Sequence, residues 1–202
     1  MNTVKAARVP AFFVLLAVPT FAFAHVPLEG VDSFINGVLH PAIIPAHVLL
    51  ILAVGLFVGQ KGISSQHKTA LSFIFAVIFG LVGAWFAETG LPQYAVLGCS
   101  ATISLLIVLN HNLNSLWMML IAAIAGVVIG LDSPQALLEG RDKFASFFGT
   151  AVGVYFLTLY PAALADRFNE KDWHKVALRV AASWVAASSL LVLALSYATS
   201  LK

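Results

Sequence analysis

Beyond residue 25 the chain alternates long apolar runs with short polar breaks, and the runs lie at about 38–59, 69–87, 92–109, 114–131, 144–165 and 175–198. Each is close to the ~20 residues that a helix needs to cross a hydrocarbon core of ~30 Å. The pattern predicts an all-α integral membrane protein built as a bundle of about six transmembrane helices. A shorter apolar stretch precedes them. Lys5 and Arg8 make a basic start, "PAFFVLLAVPTF" an apolar centre, and Ala22-Phe23-Ala24 a small-x-small cleavage site; together these are the three parts of a cleavable signal peptide. This reading divides the chain into a signal peptide, 1–24, and a six-helix transmembrane domain, 25–202, with His25 as the first mature residue.

Composition agrees. At 60% hydrophobic and 10% charged residues, with a mean hydropathy of +0.95, the chain lies outside the range of ordinary soluble domains. A net charge of +2, with no run of basic residues, offers nucleic acid nothing to bind, so the expected partner is the lipid bilayer. The lone Cys99 makes no internal disulfide and reads as a small packing residue.

Lys61, Lys68, Arg167, Lys171 and Lys175 fall in the segments predicted to face inward, with Arg179 just inside the last span, while the outer segments carry only Arg141, Lys143 and Lys202. Six spans put both mature termini on one side and the signal peptide puts that side outside the cytoplasm, in a bacterial inner membrane; the bias follows the positive-inside rule. Glu29, Asp32, Glu88, Asp132, Glu139 and Asp142 then give an acidic outer face, which either attracts cations or is simply solvated.

Three pairs of glycines four residues apart, Gly55/Gly59, Gly126/Gly130 and Gly149/Gly153, occupy the first, fourth and fifth predicted spans. Such pairs let helix backbones approach closely and predict tight packing within the bundle. The first two fall at matching places in the two halves, the pattern of a three-plus-three inverted repeat.

Polar residues concentrate around "LHPAIIPAH", Leu39 to His47. On one helix Asp32, Asn36, His40 and His47 fall within about 80° of one another. This places Asp32 and Asn36 at the mouth of a cation pathway and His40 and His47 deeper, where polar groups are costly and face protein or water. On a straight helix the two imidazoles are about 10.5 Å apart along the axis and cannot ligate one ion.

The prolines argue against a straight helix. Pro41 suits a first helical turn, which makes His40 the residue at the helix start, 41–59 the true span and "VDSFINGVL" a short surface or re-entrant segment; Pro45 then removes one more backbone bond. A continuous 33–59 helix would also be about 40 Å long against a core of about 30 Å. Two readings stand. Either His40 caps a helix and His47 bonds a neighbouring helix for stability alone, or at least one of them handles a metal ion.

Elsewhere, the amine and imidazole of a mature N-terminal His25 are two nitrogen donors suited to Cu2+ or Ni2+. His67 and His174, beside Lys68 and Lys175, read as solvated, and "NHNLNS" (Asn110 to Ser115) as turn and cap chemistry. With no Ser-His-Asp order, Gly-rich phosphate loop, CxxC or H-E-x-x-H pattern, the chain is not expected to be an enzyme.

The signal peptide followed by a histidine, and the stretch "GVLHPAIIPAHVLLILAVGLFVG", resemble the HupE/UreJ family of small membrane proteins, which are associated with hydrogenase and urease maturation and regarded as nickel or cobalt permeases. The family typically shows His-Pro, a short gap, Asp-His and an apolar run like "LAVG". His40, Pro41, His47 and Leu52-Ala53-Val54-Gly55 match it. The resemblance implies Ni2+ or Co2+ as the ion handled, with His40, His47 and His25 as its ligands. The alternative is a non-transporting accessory subunit packed against a membrane metalloenzyme complex, or against a second copy of itself. Two departures bear on the choice. Ala46 stands where the family has its aspartate, and "AIAGVVIGL" in the fourth span lacks the family's histidines.

Overall fold

The computed structural model describes residues 31–87, 89–168 and 172–200, so His25 and the expected signal peptide lie outside the described residues. Within them the chain is all-helical, as α1 (Ser33–Ile43), α2 (Pro45–Gly59), α3 (His67–Trp85), α4 (Gln93–Val108), α5 (Ser115–Leu131), α6 (Gly140–Arg167) and α7 (Asp172–Ser200). Helices cover all six predicted apolar runs, but the first run is broken. Three helices, α3, α6 and α7, are long and apolar enough to cross a membrane, and α1 with α2 makes a fourth candidate bent by 76°; α4 and α5 are shorter apolar helices of 16 and 17 residues.

The break differs from the one expected. Pro41 does not start a helix: it lies inside α1, and "VDSFINGVL" is largely helical, opened by Asp32, whose Oδ1 accepts the Phe34 amide at 2.8 Å. The chain turns four residues later. The ring of Pro45 crowds the backbone of the residue before it, so Ile44 leaves the helical region for an extended conformation (φ −87°, ψ 111°), and Pro45 begins α2 where its missing N–H costs nothing.

Other ends are closed by polar residues, two of them in the turn-and-cap stretch "NHNLNS". Asn114 caps α5 through its Oδ1, which accepts from the Trp117 amide at 3.0 Å, and Asn110 takes the left-handed region at φ 50°. Lys143 Nζ donates to the Trp85 carbonyl at the end of α3, at 2.9 Å. His174 departs from the solvated reading. It is half-buried, with its ring against those of Phe168 and Trp173.

Apolar around nearly its whole circumference, α2 is accordingly the central helix, in contact with α4, α5, α6 and α7. The glycine pairs lie where helices cross. A Cβ on Gly130 would sit 2.5 Å from the Val77 carbonyl and 2.8 Å from Gly80 Cα, so α3 and α5 meet almost backbone to backbone. Gly55 faces Thr158 and Pro161 of α6, and Gly149 and Gly153 face Phe34 and Val38 of α1. On the outside, Phe75, Phe79, Phe156, Trp117 and Trp184 are exposed, an apolar surface that suits lipid and not water.

Candidate metal-handling site

The third residue of α2, His47, has no exposed surface, and its Nε2 lies 2.9 Å from Oδ2 of Asp132, itself 5% exposed, 85 positions along the chain. Asp132 is the residue that sequence reasoning missed. Its sequence position groups it with the acidic outer face, whereas the fold turns it inward. Three features hold it there. Ser133 Oγ donates to the Ile129 carbonyl at 2.8 Å, keeping the chain coiled past the end of α5. Ser133, Pro134 and Gln135 are buried behind it. Gly90, in the α3–α4 connection, leaves room for its second oxygen: a Cβ there would lie 2.6 Å from Asp132 Oδ1.

Helix fields decide where the carboxylate is tolerated. Directly after α5, Asp132 meets the negative end of its own helix, which disfavours an anion. Its partner occupies the first turn of α2, whose open N–H groups and positive end favour one.

A carboxylate only accepts, so the Nε2 hydrogen of His47 is donated to Asp132 and the ring's other nitrogen is left for other chemistry. That nitrogen, Nδ1, is buried and has no hydrogen-bond partner among the described residues. Metal-binding histidines have this arrangement: one ring N–H given to a carboxylate, which fixes tautomer and orientation, and the opposite lone pair offered to the ion.

The bend at Ile44 brings the second imidazole alongside. His40, half-buried near the end of α1, has its ring centroid 5.7 Å from that of His47 in an edge-on arrangement, where a straight helix would have kept the two about 10.5 Å apart. Asp32 and Asn36 remain with His40 on α1 and serve its beginning; Asn36 Nδ2 donates to the Val31 carbonyl at 3.5 Å. The polar stripe therefore breaks between His40 and His47, not at His40. Among the described residues no three His, Cys, Asp or Glu side chains lie close enough to form a complete metal cage.

These features describe an all-helical protein whose apolar helices suit a membrane and whose central helix carries a buried imidazole–carboxylate pair. The profile of the HupE / UreJ protein family matches residues 13–192, most of the chain. The chain therefore belongs to this membrane-associated family, whose members are linked to nickel or cobalt transport or to accessory roles for metalloenzymes. No curated protein and no solved structure matches it.

Proposed function

We propose that the protein is a multi-pass permease of the inner membrane for a divalent transition-metal ion, nickel or cobalt, with no enzymatic activity of its own. In this reading six spans follow a cleaved signal peptide, both mature termini lie outside the cytoplasm, and His25 stands near the outer mouth with Asp32 and Asn36. The observation that carries the proposal is the buried, unpartnered Nδ1 of His47, oriented by Asp132. A divalent ion arriving there meets an imidazole lone pair, and the Asp132 carboxylate one ring away offsets part of its charge. Asp132 thus supplies the anion that Ala46 does not. An incomplete donor set suits passage, since a conducting site must release its ion as well as bind it.

The same incompleteness supports the second reading, a non-transporting subunit of a metalloenzyme complex or of a homo-oligomer. Nickel and cobalt uptake separates the two, measured in cells carrying wild type, His40→Ala or His47→Ala at equal membrane levels. The permease reading expects His47→Ala to lower uptake by about tenfold or more. Equal uptake, together with co-purification at fixed stoichiometry with larger partners, would replace it with the subunit reading.

A further inference from the structure

At the end of the bundle opposite His47, the ends of α2 and α4 and the first turns of α7 line an open cavity of about 410 Å³, within the size range of small-ligand sites. Gln60, Asn110, Asp172, Lys175 and Arg179 line it, with apolar residues such as Ile107 closing its inner wall. Lys175 and Arg179 are four residues apart, so they share one face of α7. Their surroundings are unequal. Lys175 Nζ lies 3.2 Å from Asp172 Oδ1, whereas Arg179 forms no ion pair among the described residues; its Nε donates to the Val108 carbonyl at 2.8 Å. Among the described lining residues, two cations against one carboxylate leave an excess of one positive charge.

The level of the cavity in the bilayer bears on its occupant. Trp173, 63% exposed, sits at the start of α7, and exposed tryptophans at helix ends mark the membrane–water interface. Arg179 is six residues further in, about 9 Å along the axis. A cation held at that depth is costly unless an anion reaches it, and a guanidinium fastened through Nε keeps its remaining donors for a phosphate.

We propose that this cavity binds the phosphodiester head group of an anionic membrane lipid, whose single negative charge matches the single excess positive charge, with the acyl chains lying against the apolar flank of α7. Basic pockets between the cytoplasmic ends of helices bind such lipids. The proposal rests on the membrane-spanning reading above but not on metal transport.

The test is the thermal unfolding midpoint of the full-length protein in a neutral detergent, with added phosphatidylglycerol, phosphatidylcholine or inorganic phosphate. Phosphatidylglycerol is expected to raise the wild-type midpoint by about 3 °C or more. Phosphatidylcholine and inorganic phosphate should not, and Arg179→Gln and the Lys175→Gln/Arg179→Gln pair should lose the response. An undiminished response in the double variant would overturn the proposal. So would a wild-type response to phosphate as large as that to the lipid, which would point to a free anion. Metal uptake by Arg179→Gln should stay at the wild-type level. Loss of the lipid response with uptake intact therefore bears on this site alone, while loss of uptake in His47→Ala bears on the permease.

Discussion

Replacing Asp132 by alanine leaves His47 buried with neither ring nitrogen bonded, and replacing His47 by alanine leaves a buried carboxylate without its partner. An unsatisfied buried polar group costs about 1–3 kcal/mol, and a buried carboxylate left without its partner about 3–5 kcal/mol. With His47 at 0% and Asp132 at 5% exposure, water cannot replace the lost bond cheaply, so each single variant should lose about 2–4 kcal/mol. In the double variant nothing is left stranded. Its loss should fall short of the sum of the singles by about 2–3 kcal/mol, near the upper end of coupling between contacting residues. Asp132→Asn keeps an acceptor for the Nε2 hydrogen and should cost only about 1 kcal/mol. The assay is reversible unfolding in detergent micelles, followed by tryptophan fluorescence, with a chelator present so that metal binding does not contribute. Additive losses, within about 0.5 kcal/mol, would refute the claim that the two side chains form a buried pair.

Three further outcomes follow from the packing. Gly130→Ala drives a Cβ into the Val77 carbonyl and Gly80, and should lower stability by about 2 kcal/mol in the same unfolding assay. Gly90→Ala forces Asp132 Oδ1 to move; it should reduce nickel uptake while leaving far-ultraviolet circular dichroism unchanged. Asp32→Ala removes the cap of α1 at a cost of about 1 kcal/mol, seen as faster hydrogen exchange confined to 33–43.

The fold was largely legible because a membrane demands long apolar runs and the chain writes them plainly. Five of the six runs became one helix each and the first became two, and all three glycine pairs mark close helix crossings. The break lies at Ile44 and not at His40 because two prolines compete for it. Pro41 is accommodated inside the last turns of α1, whereas Pro45 acts through the extended Ile44, and α1 packs against Gly149 and Gly153, a contact that local sequence does not announce. Half of the candidate site is visible in sequence, in His40 and His47. Asp132 is not, because an acid just after an apolar run reads as a solvated loop residue. The one local signal was its setting: "LDSPQALL" is unusually apolar for an exposed outer loop. Nothing near it in the sequence points to a histidine on another helix.

The central claim is that Asp132 holds His47 so that Nδ1 can take a metal ion. Titration of Ni2+ into the purified protein, comparing wild type, Asp132→Asn and His47→Ala, tests it most directly. Because Asp132→Asn keeps the hydrogen bond but removes the negative charge that offsets the ion's own, it should weaken Ni2+ binding by about 10–100-fold, and His47→Ala should abolish it. Wild-type affinity in either variant would contradict the account.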